Sequence, residues 1–341
     1  MCTCPNYMLP IGTHINKDGE RKVTYQFIGH HEFKKMTRFF QDHLLSFVEV
    51  PCQKCLECRV QYARTWADRC VLEAKQYKYN YFVTLTYDDY FLPDRNSLEP
   101  KDVQLFLKRL RKKFKGIKIR VLYSGEYGDT SWRPHYHLLL FNLPLNDLTY
   151  QFERKEVVDV DLTTGKPIFG PYLKYNMAGN KKNMMFSKTI YELWMMGNIS
   201  VQDFNYDTAA YVSQYVTKKA NPNNVKLYKE LNIYPEFIRM SNRPGIGAGY
   251  FHDHDDGSYG LSKLIIPQDG EAHLSSVPRY FDKLFVKKYG DSAFDPIRIK
   301  RNKEKLRSIK SILNDIKKDK DRQADLRSYN LKKRQHIRNS I

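Results

Sequence analysis

The sequence has no run of apolar residues approaching the roughly 20 that cross a bilayer. Its opening, Met-Cys-Thr-Cys-Pro-Asn, has no hydrophobic stretch of the kind a secretory leader needs. These two absences argue against a membrane-spanning helix and an exported chain, and we expect a cytoplasmic protein. No GxxxxGK[ST] occurs anywhere, so a nucleotide-hydrolysing phosphate loop is excluded. Carboxylates are in short supply: 38 Asp and Glu stand against 57 Lys and Arg, a net charge of +19. A surplus of that size attracts polyanions and releases counterions from a phosphate backbone, whether DNA or RNA. Cysteine is scarce outside two short clusters. Five of the six are Cys2, Cys4, Cys52, Cys55 and Cys58, and in a reducing compartment such bunching points to a metal rather than to disulfides.

With 41% hydrophobic and 28% charged residues, the 341-residue chain belongs with folded rather than disordered proteins. Residues 1–80 are expected to form a cysteine-bearing segment that is irregular to 58 and then helical over 59–79. In that helix Val60, Ala63, Ala67, Cys70, Val71 and Ala74 share one face. Residues 81–220 form the expected core. It opens with a β-branched and aromatic strand, Tyr81–Tyr87. A helix follows from Pro100, with Val103, Phe106, Leu107, Leu110 and Phe114 on its apolar stripe and Gly116 at its close. Next comes a hairpin made of 117–124 and the strand that starts after Arg133. Residues 142–200 carry turn signals and are expected to hold loops and short helices. A last core helix is expected from a cap at Asp207-Thr208 to about Ala220. Residues 221–296 are expected to be a loop-rich appendix, and 297–341 a basic helical tail with Ile309, Ile312, Leu313 and Ile316 on a narrow stripe.

Chemistry concentrates in the core. In Arg133-Pro-His-Tyr-His-Leu-Leu-Leu-Phe141 the side chains of a strand alternate, so His135 and His137 point to one face and can grip one ion. A hairpin returns Glu126, of Gly125-Glu-Tyr-Gly128, to the same edge as a third ligand. Two imidazoles and one carboxylate suit a divalent ion with open positions, such as Mg²⁺ or Mn²⁺. In Tyr211-Val-Ser-Gln-Tyr-Val-Thr-Lys-Lys219 the two tyrosines lie one helical turn apart on one face. A phenol beside a metal-bound phosphate and cations can act as a nucleophile, exchanging one phosphodiester for another without nucleotide hydrolysis. Lys218 stands at i+3 from Tyr215, whereas Gln214 occupies that place after Tyr211. If helix lysines set reactivity, Tyr215 makes the faster first cut. A second pair, His252 and His254, sits among Gly and Asp without a strand pattern and reads as an exposed loop. The glycine-rich Arg243–Gly249 lacks the setting of a nucleotide loop and reads as a turn, or as a loop touching a DNA backbone. Cys52, Cys55 and Cys58, completed by Cys2 or Cys4, form a candidate structural zinc set.

The order of an FVTLTY strand, a Glu, an RPHYHLLLF strand and a YVSQYVTKK helix resembles the HUH superfamily of rolling-circle replication initiators. More narrowly it is similar to the replication initiation proteins of microviruses, in the gokushovirus branch. Cys2-Thr-Cys-Pro5, Pro51–Arg59 and Met240–Gly247 also look like that branch. The resemblance implies an α+β HUH endonuclease fold, with a central antiparallel sheet carrying the His-x-His strand, flanking helices and a two-tyrosine helix. It implies metal ligands Glu126, His135 and His137, catalytic Tyr211, Tyr215 and Lys218, and a role for the strand at Thr84 and Thr86. It favours Cys2, with Cys52, Cys55 and Cys58, for the zinc. The candidate DNA-contacting cations are Lys219, Arg133 and Arg243. The implied activity is metal-dependent nicking and rejoining of single-stranded phage DNA at an origin, through a 5′-phosphotyrosine link. The partners would be a host helicase and DNA polymerase, in a bacterial cytoplasm. A plasmid relaxase, a single-strand transposase and a non-catalytic nucleic-acid-binding protein are the rival readings.

Overall fold

Strand alternation organises the centre of the molecule. The structure is a computed structural model describing all residues except 1, 3, 16–18, 20, 36–47, 129, 177–183, 219–221, 255–262, 269 and 302–341. The side chains at 9–10, 21–22, 33–35, 48–49, 175–176, 215–218 and 222–225 also lie outside the description.

The first residues are not irregular, as the sequence suggested. β1 (Asn6–Ile15) pairs antiparallel with β2 (Arg21–Ile28) and, on its other edge, with β3 (Val48–Val50). Pro10 and Gly12 conceal β1 in the sequence, and the pairing shifts register between them. A short helix, α1 (His30–Lys35), lies between β2 and β3 in the chain. Helix α2 (Leu56–Ala74) is longer at its start than the expected 59–79, and its second half, Trp66–Ala74, is buried all round. That burial includes Asp68, Arg69 and Glu73, each with a partner. Arg69 stacks on Trp66 at 4.0 Å and donates to the Ile246 carbonyl at 2.9 and 3.0 Å. Asp68 lies 3.4 Å from His273. Glu73 pairs with buried Arg120 and accepts from the Gly247 amide at 2.6 Å, while Arg120 donates to the Pro244 carbonyl at 2.9 Å. The backbone groups of the Arg243–Gly247 segment are thus engaged internally, as in an ordinary turn.

The central sheet begins with β4 (Asn80–Thr86). After it comes α3 (Pro100–Lys113), with Pro100 at its first position and the Glu99 side chain capping the Lys101 amide. β5 (Arg120–Tyr127) and β6 (Pro134–Phe141) form the expected hairpin. Beyond β7 (Leu148–Thr149), the stretch expected to be loops holds a long antiparallel pair, β8 (Gln151–Val160) and β9 (Pro167–Asn176). β10 (Phe186–Ser187) leads into α4 (Lys188–Trp194), whose Ser187 cap accepts from the Ile190 amide. β11 (Ile199–Asp203), α5 (Tyr206–Lys218), α6 (Pro222–Glu230) and β12 (Phe237–Met240) complete this part. The sheet order is β11-β4-β6-β5-β12, with every neighbour antiparallel. β12 therefore brings part of the expected appendix into the core.

Odd positions of β4 and β5 and even positions of β6 face one side. There Val83, Leu85, Val121, Tyr123, Tyr136, Leu138 and Leu140 pack with α3 and α4 as the main apolar core. The opposite face carries Phe82, Leu122, Leu139 and Phe141 at one end and polar side chains at the other. Helix α5 crosses that face, with α2 packed along it. The helices thus cover both faces of the sheet, and the molecule is mixed α+β.

The chain divides into two compact units, Met1–Tyr250 with Ile266–His273 and Phe251–Ile265 with Leu274–Ile341. In the second, the helix Arg279–Tyr289 packs Phe281 on Phe251, and Arg301 pairs with Asp282 at 2.7 Å. The tail stripe at Ile309–Ile316 lies outside the described residues. No described helix is long and apolar enough to cross a membrane.

Candidate metal centre and tyrosine helix

Register assembles the site. Glu126 stands opposite His135 and Ser124 opposite His137 across β5–β6, while Thr86 and Thr84 oppose the same two histidines across β4–β6. Directly opposed residues share a face, so six polar side chains meet at one end of the sheet. Glu126 Oε1 lies 2.7 Å from His135 Nε2 and 2.5 Å from His137 Nε2. Glu126 and His137 are buried and His135 is half-buried, and their three ligand atoms converge as a metal site requires. Neighbouring groups hold the far ring nitrogens. His137 Nδ1 meets Thr84 Oγ1 at 3.0 Å, and His135 Nδ1 donates to the Arg133 carbonyl at 3.2 Å. Because a carbonyl only accepts, the neutral His135 ring keeps its lone pair on Nε2, aimed at the centre. Burial by itself lowers the pKa of His135, but the hydrogen bond and charge of Glu126 raise it, and the net direction is upward.

Two features of β5 were not legible as site features. Ser124 Oγ is buried beside His137 without a hydrogen-bond partner, a polar place that a ligand's oxygen or water can fill. At Gly125 an added Cβ would stand 2.7 Å from the Phe237 ring, so glycine lets β12 close against the strand next to Glu126.

Helix α5 delivers the phenol. Its cap is Asn205 rather than the expected Asp207-Thr208. Asn205 Oδ1 accepts from the Thr208 amide at 2.8 Å, and Thr208 Oγ1 accepts from the Asn205 amide at 3.0 Å. This is a reciprocal capping box, which the sequence pattern of a lone Asp-Thr pair did not reveal. Ala209, Val212 and Ser213 turn inward and Tyr211 and Gln214 outward. Tyr211 Oη donates to Glu126 Oε1 at 3.1 Å and lies 3.5 Å from His137 Nε2. Phe82 stacks flat on the His137 ring at 5.3 Å, and both rings meet Tyr211 edge-on. Tyr215 follows one turn later in the helix. Its side chain, that of Lys218, and all of Lys219 lie outside the described residues. The tyrosine seen touching the ligand set is thus Tyr211, and not the Tyr215 that the lysine spacing favoured.

Among the expected DNA-contacting residues, Arg133 pairs with Asp89 at 2.5 Å and donates to the Tyr87 carbonyl at 2.9 Å. It lines an open cleft of about 550 Å³ with Thr86, Asp88, Tyr90, Arg154 and Asn198. Thr86, the strand partner of His135, makes this cleft the neighbour of the ligand set. Arg243 is exposed on its internally held turn, and His252 and His254 are exposed as expected. The cysteines gather separately. Cys2, Cys4, Cys52 and Cys55 come together, with Cys58 beside Cys52. The structure thus brings in both residues the sequence offered as alternatives, Cys2 and Cys4. Cys70 is buried on α2, and burial pushes its thiol pKa up, as befits a core residue.

A buried carboxylate and two histidines presented by an antiparallel sheet to a phenol on a covering helix define the class: an α+β protein with a candidate divalent-ion site facing a tyrosine. Comparison with known proteins gives the family. The family model for replication-associated proteins of the ORF2 type matches residues 80–220, from β4 to the end of α5. The chain is 33% identical over 310 residues to replication-associated protein ORF2 of Spiroplasma virus 4, spanning 88% of this chain and 87% of that protein. It is 27% identical over 246 residues to replication-associated protein VP4 of Bdellovibrio phage phiMH2K, spanning 70% and 68%. Against replication-associated protein ORF4 of Chlamydia phage 1 it is 29% identical over 201 residues, 58% of this chain and 42% of that one. The chain belongs to this gokushovirus-type family of phage replication-associated proteins. No solved structure matches it.

Proposed function

We propose that this protein is an HUH-type replication initiator that nicks and rejoins single-stranded DNA at a phage origin. The observation that carries the reading is the contact of Tyr211 Oη with Glu126 at 3.1 Å, inside a carboxylate–bis-histidine set. A nucleophile and a ligand set with open positions are the two parts that phosphodiester transfer needs. Family membership supports a role in phage DNA replication, and the +19 charge suits a polyanionic substrate.

Glu126, His135 and His137 would hold Mg²⁺ or Mn²⁺, which polarises a scissile phosphate and fixes it in place. Tyr211 Oη attacks phosphorus, the bond to the 3′ oxygen breaks, and the phenolic proton is released as the leaving oxygen becomes a 3′-OH. Glu126 orients the phenol, and Thr84 and the Arg133 carbonyl orient the two imidazoles. The products are a 5′-phosphotyrosine and a primer end for a host polymerase. One phosphodiester has replaced another, so the exchange reverses when a 3′-OH returns. Tyr215 and Lys218 are assigned to the second transfer, which closes the circle. Lys219 and Arg243 are assigned to strand contacts, and Arg133 to the wall of the adjoining cleft. With no phosphate loop in the sequence, duplex unwinding falls to a host helicase in the bacterial cytoplasm.

The test is an origin oligonucleotide incubated with Mn²⁺, followed by peptide mapping of the denaturation-resistant adduct. Tyr211 should carry the first adduct, and Tyr211→Phe should abolish it. An undiminished first adduct in Tyr211→Phe overturns this order of events, and absence of any tyrosine adduct overturns the reaction.

A further inference from the structure

We propose that Cys2, Cys4, Cys52 and Cys55 together bind one zinc ion, a structural site that ties the start of the chain to the entrance of α2. The inference stands apart from the DNA-cleaving reading, because it rests on a different set of residues.

Topology brings the four thiols together. β1 and β3 pair antiparallel with Asn6 opposite Val50. Continuing that register two residues outward puts Cys4 opposite Cys52, and their sulfurs lie 3.4 Å apart. Cys2 Sγ lies 3.7 Å from Cys55 Sγ. All four sulfurs fall within 4.8 Å of one another. A tetrahedral zinc with Zn–S bonds of about 2.3 Å has S···S edges of about 3.8 Å. The spacing therefore fits one ion at the centre, whereas a cluster of several metals needs wider separation. All four are free thiols, and none is deeply buried.

The backbone around them is also arranged for thiolates. The Cys55 and Lys54 amides point at Cys52 Sγ at 3.3 and 3.4 Å, and the Cys52 amide points at Cys2 Sγ at 3.4 Å. Amide donors directed at sulfur stabilise the charged form that a metal requires. Gln53 adopts φ +61°, a left-handed conformation rare for a non-glycine residue, and this turns the chain between Cys52 and Cys55. Lys54 and Arg59 flank the cluster with positive charge, which offsets the net −2 of four thiolates on Zn²⁺. Cys58 is the fifth thiol. It lies 4.0 Å from Cys52 Sγ but outside the mutually close four, and a tetrahedral ion has no place for it. Soft thiolates in a tetrahedral arrangement favour zinc over the hard ions that suit Glu126 and its histidines.

The experiment is metal analysis of the full chain, purified reduced and without chelator, then reconstituted with Zn²⁺ alone. One zinc per chain is expected, lost in Cys4→Ser and in Cys52→Ser but retained in Cys58→Ser. Substitution with Co²⁺ in the unmutated chain should give the intense visible absorption of a tetrahedral tetrathiolate, a readout independent of how any variant folds. No zinc in the reconstituted chain, or a weak six-coordinate cobalt spectrum, overturns the site. Loss in Cys58→Ser with retention in Cys4→Ser overturns the assignment of the four ligands. None of these measurements uses DNA, so a failure here leaves the nicking reaction standing, and the converse also holds.

Discussion

Two antiparallel strand pairs in this molecule are nearly equal in length and opposite in character. Every residue of β5, and nearly every residue of its partner β6, is buried, with continuous register from Arg120↔Phe141 to Tyr127↔Pro134. In β8–β9 most residues are half-buried or exposed, and the register shifts at Lys155/Val157 and again at Val157/Asp159. Only the first pair is covered on both faces. A one-residue slip there would carry every apolar side chain to the wrong side, so packing pins its register. A set of ligands from opposing strands needs that fixity, because Glu126 and His135 meet only while their strands stay aligned. The exposed pair lacks this constraint and tolerates bulges.

The largest effect that sharpens this contrast is at the ligands. His135→Ala or His137→Ala should lower origin cleavage by about 10³-fold, the loss of several kcal/mol of metal assistance. Binding of the same oligonucleotide should largely survive. Cleavage at full rate in excess EDTA would refute the metal assignment.

Leu138, between the ligand end and the apolar end of β6, is fully buried. Leu138→Ala should cost about 2–5 kcal/mol in denaturant unfolding. Thr84→Val removes the hydroxyl on His137 Nδ1 and should weaken metal binding by about 10–100-fold, measured by Mn²⁺ titration.

The raised pKa of His135 gives a pH dependence in the metal-free protein. The protonated ring on Glu126 stabilises the fold fully below the unfolded value of about 6.5. That contribution fades as pH rises through the higher folded value. Thermal unfolding of the metal-free chain should therefore lose some stability over this window, and His135→Gln should flatten the profile.

The smallest effect belongs to the other pair. Val158 is 64% exposed on β8, and Val158→Ala should change stability by about 0.5 kcal/mol or less. A loss approaching that of Leu138→Ala would mean β8–β9 is covered in solution and would erase the comparison.

The same contrast explains what the sequence disclosed. Burial on both faces writes a strong pattern, so β4, the β5–β6 hairpin and α3 were legible, together with His135, His137 and the return of Glu126. β8 is half-exposed and interleaves charge with valine, so it has no clean alternation and read as loops. β1 was hidden by Pro10 and Gly12. β12 is four residues long, and only its pairing with β5 shows that it belongs to the sheet. The Asn205 cap is legible only as a reciprocal bond with Thr208. Thr84 had a motif but no task until its hydroxyl was seen on His137. Ser124 and Gly125 carried no signal, since their meaning depends on Phe237 and His137 standing next to them. The thiol spacing named the cluster but left Cys2 and Cys4 as alternatives, a choice that required the β1–β3 register.

The edge position of β12 also has a consequence in time. A chain leaves the ribosome amino terminus first, so both histidines, Glu126 and Tyr211 emerge before Phe237 does. Until then β5, which bears Glu126, is an outer strand with open amides and carbonyls on one side. Glu73 and Arg120 likewise wait for the Pro244 carbonyl and the Gly247 amide that complete their buried pair. The nascent protein therefore holds all of its reactive groups before it holds the strand that fixes them, and a half-made chain is an inert one.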